Sequence, residues 1–238
     1  MQKLTLILCI VLVWGLVIAP CVTAEKDDSK SSAMQELKDL YSRGTEYLES
    51  EDYDEAIEIF LQILRQQPNM PQIYNLLGIA YLKQGESREL AIDSFRKATE
   101  IKPDFAEAYF NLATTYAESG DDMNLAIENF NKVINLDPKN YRAYFDLGWI
   151  VLMEKNDMEE ARRLFQKTIE IAPKFAQAYF GLGVAYIQLK QTAMVLQPIS
   201  VLRSMNEEEL ALKLEQMMKG EEGWMPGGGG EGENGAVY

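Results

Sequence analysis

Histidine is absent from the sequence of 238 residues, and cysteine occurs only as Cys9 and Cys21. The rest of the chain therefore lacks the usual protein ligands of zinc and copper. It also lacks the commonest general base and the Ser-His and Cys-His pairs of nucleophilic catalysis. These absences predict a protein that holds no metal or cofactor and is not an enzyme. Its stability should come from apolar packing rather than from disulfide bonds.

Basic residues are scarce relative to acidic ones. The chain has 23 lysines and arginines against 37 aspartates and glutamates, which gives a formal net charge of −14. Because such a surface repels the phosphate backbone, the composition predicts no nucleic-acid partner. The acidity agrees with solubility and also with a preference for basic partners.

The one long apolar run lies at the N-terminus, over residues 4–19. It follows Lys3 and precedes Val22-Thr23-Ala24, which has the small and short residues of a cleavage site. This order predicts a secretory signal over residues 1–24 and an exported protein that is periplasmic, secreted or membrane-tethered. Two alternatives stay open, in which residues 4–19 remain as a membrane anchor or Cys21 carries a lipid. The run is slightly shorter than the roughly 20 residues that a spanning helix needs.

Two polar segments flank the central part of the chain. Residues 25–33 are rich in charge and serine, and residues 221–238 are rich in glycine and acid. Both compositions predict disorder, as a linker and as a tail. The tail has a single apolar island, Trp224-Met225-Pro226.

A short pattern of tyrosine, leucine and a small residue recurs at a fixed spacing of 35 residues. It reads Tyr74-Leu77-Gly78-Tyr81, Tyr109-Leu112-Ala113-Tyr116, Tyr144-Leu147-Gly148-Val151 and Tyr179-Leu182-Gly183-Tyr186. Self-similarity at a period of about 20–50 residues indicates a stack of similar units. A stacked array usually works by binding through its surface.

A second pattern follows the first in each unit and ends with proline. It reads Ala56-Phe60-Pro68, Ala91-Phe95-Pro103, Ala126-Phe130-Pro138 and Ala161-Phe165-Pro173. Leucine and tyrosine three or four residues apart form one face of a first helix, and alanine and phenylalanine form one stripe of a second. Proline cannot continue the helix and ends the unit. The sequence therefore predicts an all-α fold of tandem helical hairpins, with units at 37–70, 71–105, 106–140 and 141–175.

These patterns resemble the tetratricopeptide repeat, whose consensus is W-x2-L-G-x2-Y, then A-x3-F, then P, at about 34 residues. Tyrosine replaces the leading tryptophan in units two to five, and the first unit has Leu40 there. Units two to four carry one extra residue in or next to the turn between their helices. The resemblance covers about residues 37–190 and implies a right-handed α-α superhelix. It further implies a concave groove in which a peptide segment of another protein binds.

The predicted array covers residues 34–206, and its C-terminal end departs from the repeat pattern. A divergent fifth unit covers residues 176–206, and Pro198 lies inside its second helix, which predicts a bend or a helix start there. Residues 207–220 follow, with Leu210 and Leu214 on one face of a predicted helix that covers the open end of the stack.

The family resemblance implies that the second, fifth and ninth residues of each first helix face the groove. The candidate partner-binding residues include the fifth-position residues, three of the ninth-position residues, and two residues that match a carboxylate-clamp layout. They are Tyr41, Asn75, Phe110, Phe145 and Phe180; Ile79, Trp149 and Val184; and Asn111 and Arg142. The aromatic rings either form an apolar wall for a partner or pack against neighbouring helices.

The same resemblance argues against one known groove type, which clamps a terminal carboxylate. Asn111 and Arg142 fit that layout, but Asn75 and Ile79 do not, and Asp146 stands where a cation should be. The leading interpretation is a non-enzymatic adaptor or assembly factor in an exported compartment. A membrane-tethered structural subunit of an envelope complex is the alternative. A hydrolase that uses carboxylates alone is a remote third.

Overall fold

The computed structural model describes residues 19–85, 87–120 and 122–220, and their regular secondary structure is entirely helical. The helices are α1 (Ala19–Glu49), α2 (Tyr53–Gln66), α3 (Pro71–Gln84), α4 (Arg88–Ile101), α5 (Ala106–Ser119), α6 (Met123–Leu136), α7 (Tyr141–Glu154), α8 (Met158–Ile171), α9 (Ala176–Gln188), α10 (Thr192–Ser204) and α11 (Glu208–Lys219). The prediction of an all-α array of helical hairpins is confirmed. No helix among the described residues is long and apolar enough to cross a membrane.

The chain divides into two compact units. The first holds the described residues up to Ser87, with helices α1 to α3, and the second runs from Arg88 through helices α4 to α11. The division falls inside the segment 71–105 that the sequence predicts as one repeat. Within the second unit, α5 packs on α6, α7 on α8 and α9 on α10 as hairpins, and α5, α7 and α9 also contact one another in that order.

Each A-x3-F pattern places one phenylalanine in the interior of the protein. Phe60 in the first unit, and Phe95, Phe130 and Phe165 in the second, are fully buried. Burying one such ring contributes about 1.5–3 kcal/mol. The small residue of the first helix makes room for the ring. A Cβ built at Gly148 would lie 2.9 Å from the Phe165 ring.

Three residues separate each first helix from the second helix that follows it along the chain, for example residues 155–157. The extra residue of units two to four therefore lengthens the last turn of the first helix. Each connection contains one residue with left-handed backbone conformation, and these residues are Glu51, Gly85, Gly120, Asn156 and Lys190. Asp157 caps α8, because its carboxylate accepts a hydrogen bond from the Glu160 amide at 3.0 Å. Asp52 makes no such bond to its helix.

The N-terminal side of the array differs from the sequence prediction. Residues 25–33, which were expected to form a disordered linker, lie inside α1, which begins at Ala19. No glycine or proline occurs between Cys21 and Gly44, and acidic and basic residues alternate there, so nothing in the sequence ends a helix. The predicted signal or anchor falls mostly within residues 1–18 and the predicted tail within 221–238, outside the described residues.

The C-terminal side also contains a helix that continues where a break was expected. Helix α10 begins at Thr192 and passes through Pro198, which is buried, so the alternative of a helix start at Pro198 is wrong. Helix α11 then packs on both α9 and α10. A Cβ built at Gly183 of α9 would lie 2.5 Å from Leu214 of α11. The glycine of the fifth unit thus makes room for the terminal helix.

Candidate functional site

The candidate groove residues of the first unit have different environments. Tyr41 is 43% exposed, Ile79 is half-buried, and Asn75 is only 2% exposed. Tyr41 is therefore the candidate of this unit that offers most of its side chain to a partner. Asn75 is buried and offers almost no surface to a partner.

The candidates of the second unit lie on the three neighbouring first helices α5, α7 and α9. Phe110, Asn111, Trp149 and Phe180 are half-buried, and Arg142 is exposed. Phe145 and Val184 are 3% and 0% exposed. A partner could touch the half-buried and exposed residues. Phe145 and Val184 are buried beneath them and hold this surface in place.

The aromatic rings of this unit pack against one another. The ring centre of Phe145 lies 4.9 Å from that of Phe175 and 6.3 Å from that of Trp149. Trp149 in turn lies 5.3 Å from Phe165 and 6.3 Å from Phe180. Of the two interpretations that the sequence leaves open, packing against neighbouring helices applies to Phe145. Trp149 and Phe180 belong to the same cluster but keep part of their surface exposed.

A cavity of about 190 Å³ opens beside this cluster, between α5, α6 and α7. Its lining includes Trp149, the one lining residue that is also a candidate groove residue, together with Thr114 and a set of mostly apolar and acidic neighbours. These neighbours are Ala117, Glu118, Met123, Phe130, Asp146, Ile150, Met153 and Glu154. The spacing of the repeat did not indicate this cavity.

Asp146 is a carboxyl group in the lining of the cavity whose pKa is shifted. Burial raises its pKa from 3.8 to about 7, and the positive charge of Arg142, one helical turn earlier, offsets only part of this effect. In the carboxylate-clamp layout, Asp146 stands where a cation should be. This mismatch of charge is the signal in the sequence that points to Asp146.

Among the residues that the structure describes, no group of three or more histidines, cysteines, aspartates or glutamates could hold a metal ion. An apolar pocket with a few convergent polar groups is suited to bind a ligand.

The sequence matches a tetratricopeptide repeat profile over residues 41–104 and 110–174, which together make up more than half of the chain. A second tetratricopeptide repeat profile matches residues 94–124 and 164–197. None of the curated proteins compared with the chain shows significant similarity to it.

Solved structures of MamA resemble the chain over most of its length. One, described as the crystal structure of MamA protein, is 25% identical with a TM-score of 0.62, and the match covers 80% of this chain and 98% of that one. MamA 41-end from Desulfovibrio magneticus RS-1 is 18% identical with a TM-score of 0.65, covering 72% and 95%. The RS-1 ArsTM double mutant of MamA is 18% identical with a TM-score of 0.63, covering 77% and 97%.

Proposed function

The chain belongs to the tetratricopeptide repeat family, and we propose on this premise that it is a non-enzymatic adaptor that binds a peptide segment of a partner protein in an exported compartment. The repeats and the MamA-like architecture support a protein-interaction module. The observation that carries the finer proposal is the open cavity on the surface formed by α5 and α7. In this fold a side chain of a bound peptide would enter between two neighbouring first helices.

The half-buried aromatic residues beside the cavity are a second reason to place the peptide on the surface of α5 and α7. Trp149 and Phe180 are held by the cluster beneath them, so they would lose little conformational entropy when a partner binds. Preorganised aromatic side chains are typical of the residues that dominate binding energy. The floor of this surface, Phe145, contributes stability rather than contact.

Site-specific photocrosslinking tests the proposed surface. A photoreactive phenylalanine analogue placed at Thr114, in the lining of the cavity, should crosslink a discrete partner in the native cells. The matched control places it at Glu128, which is exposed on α6 and does not line the cavity. Equal crosslinking at both positions, or none at Thr114 in a folded protein, would contradict the proposal.

The exported location is a separate part of the proposal and has its own test. It is supported by the basic start, the apolar run 4–19 and the small-residue site that ends at Ala24. The intact mass of the native protein should correspond to a chain that begins at Glu25. A native chain that retains residues 1–24, or that carries a lipid on Cys21, would instead support a membrane-tethered subunit.

A further inference from the structure

We propose that the cavity between α5, α6 and α7 receives the side chain of a lysine or arginine from the bound peptide, with its carbon chain against Trp149 and Met153 and its charge beside Asp146. This inference rests on the proposed function, and it names the chemical class of ligand that the site selects.

The lining of the cavity has the two properties that such a side chain needs. Trp149, Ile150 and Met153 of α7 and Met123 and Phe130 of α6 supply apolar surface. Lysine and arginine are amphipathic in the same way, because a flexible carbon chain carries the charged group at its end. The volume of about 190 Å³ equals roughly six water molecules at about 30 Å³ each. That space suits one long side chain and is too small for a folded element.

The carboxylates of the cavity are available for a cation. Glu118 of α5 and Asp146 and Glu154 of α7 all line it. The ion pairs formed among the described residues involve other acids in every case. A charge-assisted hydrogen bond to a partly desolvated carboxylate is roughly twice as strong as a neutral one. The partner's cation would therefore meet acidic groups that have no internal ion pair.

The surroundings of Asp146 predict how binding depends on pH. Arg142 on the same helix is the charged group that acts on the pKa of Asp146. Glu154 of α7 and Glu118 of α5 line the same cavity, whereas the residues of α6 in the lining carry no charge. Helix α9 contains no charged residue. Burial holds the pKa of Asp146 near 7, so an incoming cation has to displace its proton. Binding should tighten as the pH rises through 7 and should release a proton.

The chain's own C-terminal tail is the other candidate occupant, and its composition argues against it. Residues 221–238 contain four glutamates and no lysine or arginine. The net charge of −14 for the whole chain likewise favours a basic partner over a second copy.

Selection of random short peptides displayed on phage against the full-length protein provides the probe. The selected peptides should share a lysine or arginine flanked by apolar residues. Replacing it with uncharged norleucine or citrulline should weaken binding at about pH 8 at least tenfold. Asp146→Asn should weaken binding of the basic peptide by a similar factor. The peptide that carries norleucine or citrulline should bind Asp146→Asn and the wild type with the same affinity. Glu128→Gln changes the net charge equally and should leave the affinity within about twofold.

The pH dependence separates a direct role of Asp146 from a general loss of charge. Wild-type affinity for the basic peptide should fall about tenfold from pH 8 to pH 6, and Asp146→Asn should show no such fall. Peptides that bind without needing a basic residue, or equally well to a folded Asp146→Asn variant, would overturn this inference and leave the proposed function intact. A failure to select any peptide would overturn both.

Discussion

At the scale of single residues, Asp146 places a carboxyl group in the lining of a mostly apolar cavity. Desolvation raises its pKa to about 7, and Arg142 only partly counters the shift. When Asp146 is ionised, it lowers the free energy of unfolding, and the same charge attracts a cationic ligand. Unfolding and binding experiments measure these two effects separately.

Asp146→Asn should stabilise the protein above neutral pH. Because the folded-state pKa of about 7 exceeds the ordinary value of 3.8, the folded chain keeps a proton that the unfolded chain has lost in this range. The contribution of Asp146 to the free energy of unfolding is thus full below about pH 4 and is lost as the pH rises through 7. Urea unfolding between about pH 5.5 and 8 should show a loss of about 1–3 kcal/mol in the wild type that is absent in Asp146→Asn.

The matched control for this measurement is Glu128→Gln, whose exposed position on α6 should leave the pH profile of the wild type unchanged. If Asp146→Asn shows the same pH profile as the wild type, burial does not govern the protonation of Asp146.

Gly181→Ala should destabilise the second unit through a clash with one ring. The added Cβ would lie 2.7 Å from the fully buried ring of Phe165, which has no room to turn. Overpacking costs about 1–3 kcal/mol, which exceeds the gain of about 1 kcal/mol from better helix propensity. Chemical denaturation measures the net loss. The double variant Gly181→Ala with Phe165→Leu should lose less stability than the sum of the losses in the two single variants. An additive result would mean that the two residues do not share this contact.

At the scale of helices and turns, the connections inside the hairpins depend on left-handed residues. Lys190 has φ 58° and Gly120 has φ 72°. A non-glycine residue in this conformation costs about 1–2 kcal/mol, whereas glycine adopts it without strain. Turns with a side chain at this position are therefore less stable than their glycine counterparts in the same array.

Lys190→Gly should raise the free energy of unfolding by about 0.5–1 kcal/mol because it removes this strain. Gly120→Ala is the opposite change and should lower the free energy of unfolding by a similar amount. A Cβ at Gly120 meets no atom within 4 Å, so only the backbone strain acts there. Thermal unfolding of the two variants measures both effects. A stabilised Gly120→Ala would show that backbone conformation is not the source of the effect.

The sequence predicts best those helices in which a core residue recurs at the same position of each repeat. Phe60, Phe95, Phe130 and Phe165 recur with the same spacing and are all buried, because the periodic pattern reports a core directly. The start of α1 at Ala19 was not predictable in this way. Its polar sequence has no apolar stripe, and low hydrophobicity alone does not distinguish a solvated helix from a linker.

The candidate site was predictable only in part, for a related reason. Position in the repeat indicates which helix face a residue is on, but burial depends on the neighbours that come from other repeats. Phe145 and Phe180 both occupy the fifth position, yet Phe145 is buried by Phe175 while Phe180 stays half-buried under Lys213, whose ammonium lies 5.7 Å from its ring centre. The cavity with Asp146 arises from three helices at once and has no signature along the chain.

On the scale of the whole molecule, tandem helical hairpins of this family present surfaces that bind other proteins. The chain belongs to a family whose repeats stack to form such surfaces, and each hairpin needs a neighbour to cover its apolar face. In the second unit α11 covers the end of the stack at Gly183, and the surface of α5 and α7 stays open at the cavity. The central claim is that this open surface is where a partner peptide binds.

Methyl NMR of the full-length protein labelled at its methionines tests that claim most directly. Met123 and Met153 line the cavity, whereas Met194 is exposed on α10 and takes no part in the lining. On titration with a selected peptide that carries a basic residue, the Met123 and Met153 methyl signals should shift and the Met194 signal should not. Shifts confined to Met194, with Met123 and Met153 unchanged at saturation, would contradict the account.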